Sequence, residues 1–487
     1  MTEPLPVKSL ISIVFFLVAT ASSQADVLPP SQPEYELIYD RWERVDALTL
    51  DQYDYQLGPY RLDHSVFAVE PFQWLTTLSP DRLTLFGFVA EDLRAAKEGR
   101  GSAFESFRGG IAGRPVNKLL VYGSFILDEK LADDENYGGK KWRGLAGDVQ
   151  EAFSYYRAGG FELTVGRFAS FWGVRRSLIL SPRNLFDGFA YTFRWGRLAL
   201  SYRLARLDGH NPETEGVEQF ENRYVAAHRL DAHLGDRLTV GVFETVLFGG
   251  PGRQIDLFYL NPLIFFHGSQ LNEGTNDNTT IGFDFSFKPT SGLKLYGQLL
   301  IDDLQIDNDV QGDQEPAEIA LLAGGYAADL TAGLDARVEY TRVSNWTFNQ
   351  ILPRNRYIFN GKLIGSALGN DYDVLSLLVS RWFGRKTAAT TEFTFYRQGE
   401  GRVDAEWAAP WSLIEGDYSE PFPTGIVQKT YTISLGGKGF LREFASFDFS
   451  LGVDWISNFA HRSGDSRTLP FAEMRLSVFG SRSVSLR

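Results

Sequence analysis

Three groups of side chains have types and spacings that could do chemistry. Arg167 and Trp172 stand five apart in "GRFASFW". An indole face stacks on a pyranose ring and a guanidinium forks onto hydroxyls or a carboxylate, so the two could form a sugar platform. They would serve equally as an interfacial tryptophan and an ion-paired arginine. Asp284, Asp302 and Asp303 could supply paired carboxylates for glycoside hydrolysis or oxygen ligands for Ca²⁺. On a regular strand, however, Asp302 and Asp303 point to opposite faces, so lumen or turn polarity explains them as well. The run "NEGTNDNTT" (272–280) is rich in oxygen but lacks the spacing and terminal glutamate of an EF-hand. His228 and His233 are five apart on an expected strand, hence on opposite faces, which argues against zinc. No Gly-x-Ser-x-Gly, phosphate loop or dinucleotide fingerprint occurs. No catalytic residue and no cofactor is expected.

The elements that must position these residues are strands. In "TIGFDFSFKP" (280–289), Ile281, Phe283, Phe285 and Phe287 share one face and Gly282, Asp284, Ser286 and Lys288 the other. The same period of two recurs in "LTLFGFVAED", "LLVYGSFILDE", "FELTVGRF", "RLALSYRLARL", "LKLYGQLLIDD" and "FDFSLGVDW". With weaker segments included, the pattern predicts about 18 strands, mostly of about 8–12 residues. Short turns such as "YRAGGFEL" and "KPTSGLKL" alternate with long polar stretches at 128–144, 208–223, 306–318 and 397–428. A secreted sandwich would pack its apolar faces on a second sheet, in domains nearer about 100 residues. No linker or internal boundary is visible. An outer-membrane barrel turns the apolar face to lipid and the polar face to a lumen, and closure removes the sheet edges. Aromatic residues near expected strand ends (Phe168, Phe171 and Trp172; Phe265 and Phe266; Trp382 and Phe383) fit interfacial girdles. The last strand is expected to end near Phe479.

The remaining features agree with export. Residues 1–25 have the form of a cleaved signal peptide, with Lys8 before an apolar run and Ser23-Gln24-Ala25 at its end. Residues 26–80 read as an N-terminal helical segment, with Leu37, Ile38, Trp42 and Val45 at near-helical spacing, and 81–487 as the barrel. The chain has no cysteine, so no disulfide and no lipidated N-terminal cysteine. A net charge of −13 argues against nucleic acid. The fold expected is thus all-β: an outer-membrane barrel of about 18 antiparallel strands with a small helical N-terminal segment.

Several blocks, in order, resemble the capsule assembly protein Wzi family. "VQEAFSYYRAGGFELTVGRFASFWGVRRSLILSPRNLFDGF" (149–189) is similar to a family block, with Gly166, Arg167, Trp172, Gly173, Leu180, Ser181 and Asp187 at its positions. "HRLDAHLGDRLTVGVFETVLFGG" (228–250) resembles the next, with His228, Arg229, Asp231 and Glu244. "FYLNPLIFFHGSQLNEGTNDNTTIGFDFSFKP" (258–289) matches a Leu-Asn-Pro, Asp-Asn and Gly-x-Asp run, and "GQLLIDDLQID", "VEYTRVSNWTF" and "GSALGNDYDVL" continue it. The resemblance implies a lectin-like, non-enzymatic outer-membrane protein that attaches or assembles bacterial surface polysaccharide. Its partners would be that glycan and outer-membrane lipid, and the chain would act as a monomer. The glycan-binding or lumen residues it implies are Arg167, Trp172, Asp187, Asp231, Glu244, Asn261, Asp277, Asp284 and Arg342. A porin or solute channel is the alternative, since such a barrel is wide enough for an aqueous lumen.

Overall fold

The computed structural model describes residues 33–50, 57–58, 72–75, 78–96, 101–135, 137–173, 177–209, 221–273, 275–304, 314–366, 368–414 and 418–486. The expected signal segment, 1–25, and parts of 26–80 lie outside the described residues.

Among the described residues, eighteen strands close into one antiparallel barrel. They are β1 (Arg82–Ala96), β2 (Ser102–Val116), β3 (Leu119–Asp128), β4 (Leu145–Ala158), β5 (Phe161–Phe168), β6 (Phe186–Trp195), β7 (Leu198–Arg206), β8 (Glu221–Leu234) and β9 (Leu238–Pro251). The second half comprises β10 (Asn278–Thr290), β11 (Leu293–Asp303), β12 (Glu318–Thr331), β13 (Leu334–Val343), β14 (Tyr372–Phe383), β15 (Thr387–Gln398), β16 (Gln428–Arg442), β17 (Ala445–Ser457) and β18 (Ser466–Ser485). Each strand pairs with the next, and β18 returns to β1 with Arg82 opposite Ser485. The last strand therefore runs past Phe479, where the sequence pattern ends it. All of β1 needs a partner, because an unpaired edge in lipid would leave backbone groups unsatisfied. Turns as short as two residues lie at one end, the turn end, and connections such as 129–144, 252–277, 344–371 and 399–427 at the other, the loop end.

The two faces of the wall separate as the alternation predicts. On β10, Phe283 and Phe287 are exposed on the outside, while Asp284 and Lys288 are buried in the lumen. On β17 the outward positions are Phe447, Phe449, Leu451, Val453 and Trp455, five in succession from turn end to loop end. Exposed apolar side chains in such a belt belong in hydrocarbon rather than in water.

The lumen is occupied. Helix α1 (Glu36–Leu48) enters at the turn end. Its apolar residues Ile38, Tyr39 and Trp42, with Tyr35 before it, join an inward aromatic patch from β1, β3, β4 and β18, including Phe86, Tyr122, Phe153 and Phe479. Its charged residues reach the rest of the wall. Glu34 binds Arg108 of β2 at 2.6 Å and Arg475 of β18 at 3.2 Å. Asp40 pairs with Lys438 of β16, and Glu43 with Arg337 of β13 at 2.6 Å. Arg44 meets Asp335 at 3.0 Å, and Asp46 holds Lys288 of β10 at 2.7 Å and Lys294 of β11 at 2.8 Å. β2 and β11 are nine places apart in a ring of eighteen, so the segment crosses the lumen like a diameter.

These pairs make the strut sensitive to acid. Burial alone would push the Glu34 carboxyl up, but Arg108 and Arg475 more than offset it and hold it below the usual carboxylate range. Glu43 behaves alike, with Arg337 and Lys294 offsetting its burial. A carboxyl lowered on folding stabilises the folded state above its unfolded value, about 4.3 for glutamate. That contribution is lost as pH falls through the lowered value. Protection of the amides of 36–48 from hydrogen exchange, relative to their intrinsic rate at each pH, should be high at pH 7 and fall below about pH 4, before that of the strands does. Equal protection at both pH values would remove the role assigned to these pairs.

Candidate functional site

A second insertion fills the loop end. After β5 the chain turns into the lumen, and Ser170, Phe171, Trp172, Ser177, Leu178, Ile179, Leu180, Ser181 and Asn184 are all buried. Phe168, Phe171 and Trp172 are thus lumen residues rather than girdle residues. An irregular apolar segment looks the same in sequence whether it meets lipid or fills a barrel. Of the other expected girdle residues, Phe265 and Phe383 are exposed, Phe266 is buried, and the Trp382 indole N–H donates to Asp335 inside at 2.8 Å.

The insertion is held by polar groups of the wall and of the 344–371 connection. The Leu178 N–H donates to Gln298 Oε1 at 2.7 Å, Tyr357 Oη–H to the Ile179 carbonyl at 2.9 Å, and Asn184 Nδ2 to the Leu363 carbonyl at 2.7 Å. Arg203 of β7, buried, donates to Ser170 and to the Phe168 carbonyl. Gln298 also donates to Asp284 at 3.3 Å, and there the insertion joins a charge cluster. Arg229, 0% exposed, binds Asp231 two residues on at 2.5–2.9 Å and Asp284 across β9 at 2.6 and 2.7 Å. It crosses β9 over Gly241, which lies between the two aspartates in register. A Cβ on Gly241 would stand 2.1 Å from Arg229 Nη2, so only glycine leaves room. Between α1 and the insertion lies a chamber of about 620 Å³, lined by hydroxyls such as Ser181, Ser366 and Thr390 and by acids such as Glu36 and Glu339.

The expected site residues fall in three places. Asp231 and Asp284 are drawn together at Arg229, and Trp172 lies close by, its carbonyl accepting from Gln298 at 3.4 Å. Arg167 and Asp187 form a fork pair at 2.8 Å on the outer side of the loop end, where Arg167 also meets Asp148 at 3.4 Å. Arg342 lies elsewhere on that rim, its guanidinium 3.8 Å from the Phe422 ring centroid. Glu244, Asn261 and Asp277 belong to a third place, a flap formed by 252–277 and the wall beneath it. Trp172 is buried and Arg167 is on the outer face, so the structure does not combine them into one platform. Asp302 sits inside beside Glu318, with a hydrogen bond from the Phe348 N–H at 2.6 Å, while Asp303 is exposed. Pairing there is irregular between Ile301 and Asp303.

One aromatic group was not singled out by sequence spacing. Trp346, Trp407 and Trp411 meet edge-to-face with centroids 5.0–5.8 Å apart at the loop end. Trp346 Nε1 and Tyr418 Oη both donate to Glu420, at 3.0 and 3.1 Å. Trp407 and Tyr418 keep part of their surface, beside exposed Arg402, Asp404 and Glu406.

A family model described as "Capsule assembly protein Wzi" matches residues 188–469, more than half the chain. The chain belongs to the capsule assembly protein Wzi family. The structure is similar to that of Wzi of Escherichia coli, described as an outer membrane protein involved in group 1 capsule assembly and a carbohydrate-binding β-barrel. That likeness has a TM-score of 0.60 and 15% identity, and covers 93% of this chain and 99% of that one, so it is one of fold. OccD3 of Pseudomonas aeruginosa is also similar, at TM-score 0.48 and 9% identity over 82% of this chain and 91% of that one. No curated protein matches the sequence. This Wzi-family chain is an outer-membrane β-barrel whose lumen holds helix α1 and the insertion after β5.

Proposed function

We propose that this Wzi-family barrel binds surface polysaccharide non-covalently at its loop end and holds it there during capsule assembly, making and breaking no bond. In this reading residues 1–25 are removed on export, the turn end faces the periplasm, and the chain acts as a monomer. The observation that supports the reading is the Trp346–Trp407–Trp411 group at the loop rim, in which Trp346 and Trp411 are buried and hold Trp407, whose ring stays partly open among charged and hydroxyl groups. Sugars are held by aromatic rings together with many modest hydrogen bonds. The description of the E. coli relative as carbohydrate-binding supports it. Arg167 and Arg342 on the rim are the candidates to face an acidic glycan, since a chain of net charge −13 needs local cations or bridging divalent ions to approach one. Asp231, Asp284 and Trp172 would act from within, by holding the insertion.

The test uses the producing strain's own polysaccharide, purified and labelled, on barrels in lipid vesicles. Trp407→Ala should weaken binding about tenfold, the scale of one aromatic contact. Binding indifferent to Trp407→Ala would move the site elsewhere. A porin would instead pass a steady current in planar bilayers. The helix across the lumen and the insertion above it argue for a silent membrane.

A further inference from the structure

The flap covers the outside of the barrel, not its mouth. Paired residues share a face, so outward rows can be followed from strand to strand. One row runs Phe193, Leu200, Leu230, Val242, Phe283, and four of its five members are exposed. The next row towards the loop end is Tyr191, Tyr202, His228, Glu244, Ile281. From this row upward the outer wall of β7–β9 is buried beneath the flap: Tyr202, Leu204, Tyr224, Val246 and Phe248 pack against Tyr259 and Phe266. Glu244 points outward and receives the Phe266 and His267 N–H groups at the start of helix α2 (Phe266–Glu273), at 2.7 and 2.6 Å. His228 meets it at 3.1 Å, and Tyr202 Oη–H donates to the Tyr259 carbonyl at 2.8 Å. Asp277 anchors Arg253 and Tyr259.

The flap's own outer surface is apolar as well. Leu263 is 81% exposed, Leu257 79% and Phe265 59%. Its height on the wall says what they meet. On bare β9 the apolar outward positions are only Leu238, Val240 and Val242 before Glu244 interrupts them, whereas β17 offers five. At about 6.8 Å per two residues and a tilt of about 40°, three rows span about 10 Å of height, against an apolar belt of about 25 Å. The missing rows are those the flap overlies.

We propose that the 252–277 flap replaces the strand surface of β7–β9 in the outer part of the membrane, with Leu257, Leu263 and Phe265 among the acyl chains of the outer leaflet. The occupant is lipid because the patch continues the belt already exposed at Val242 and Phe283. Wall residues beneath it, Glu244 and His228, are polar because they never meet that lipid.

The absence of native cysteine makes the test clean. Leu257→Cys and Leu263→Cys are labelled with a thiol-reactive NBD dye and placed in phosphatidylcholine vesicles carrying doxyl-labelled acyl chains. Val242→Cys serves as the lipid-facing reference and Glu406→Cys as the water-facing one, all checked for the heat-shifted folded band. The flap labels should lose as much emission to doxyl chains as the Val242 label, with none lost to aqueous iodide. Iodide quenching matching the Glu406 label, without doxyl quenching, would overturn the proposal. So would protection from both quenchers, which would place a second copy or another protein on the patch.

Discussion

Arg229→Met should cost the barrel about 3–5 kcal/mol, because it strips the cation from two buried carboxylates at once. Asp231 and Asp284 are 2% and 1% exposed, and both bind this guanidinium. The loss should reach the insertion too, since Asp284 also accepts from Gln298, which holds Leu178. The measurement is the urea midpoint for loss of the folded, heat-shifted gel band. Adding Asp231→Asn and Asp284→Asn to Arg229→Met should restore most of the midpoint, because the uncompensated charge is then gone. Gly241→Ala should fall in the same direction, as its methyl would occupy the space of Arg229 Nη2. A midpoint unmoved by Arg229→Met would mean the cluster contributes nothing to holding the wall.

Asp46→Ala should free the far end of the helical strut. Its carboxylate binds Lys288 and Lys294, whose side chains are 7% and 5% exposed, so its removal leaves two buried ammonium groups without this carboxylate. A loss of about 3–5 kcal/mol corresponds to a rise of about two to four powers of ten in the open population. Trypsin should then cleave at Arg41 or Arg44, read by mass, while the unmodified barrel resists. Asp46→Glu should keep most of the resistance. Cleavage equally fast in all three would show that α1 is not fastened at this end.

The wall was legible in the sequence because strand alternation is local. Phe283 and Asp284 are neighbours, and period two alone puts one in lipid and the other in the lumen. The spacing of Leu37, Ile38 and Trp42 showed a helix but not its place, since an apolar helix face is the same inside a barrel as beside one. What could not be read depends on register and on irregular chain. Arg229 and Asp284 are 55 residues apart and meet only because turn lengths align three strands. Trp346 and Trp411 come from different connections, which no spacing rule joins. Trp172 and Phe266 lie where strands give way to inserted chain, so their burial follows from that chain's path. The flap shows the same limit: Phe265 and Phe266 are adjacent, one facing out and the other against the wall.

The strut across the lumen has a bearing on biogenesis. Glu34 accepts from Arg475 and Ser477 of the last strand and from Arg108 of the second, so it bridges the strands on either side of β1, where chain start meets chain end. The opposite end of the same segment is fastened half a circumference away. A rod tied at both ends of a diameter is simplest to install while the ring is still open. Arg475 and Arg108 are without this carboxylate until the rod lies in place. Sealing of the first strand to the last is thereby linked to filling of the interior, and a nascent barrel that joined its ends early would enclose an arginine pair lacking Glu34.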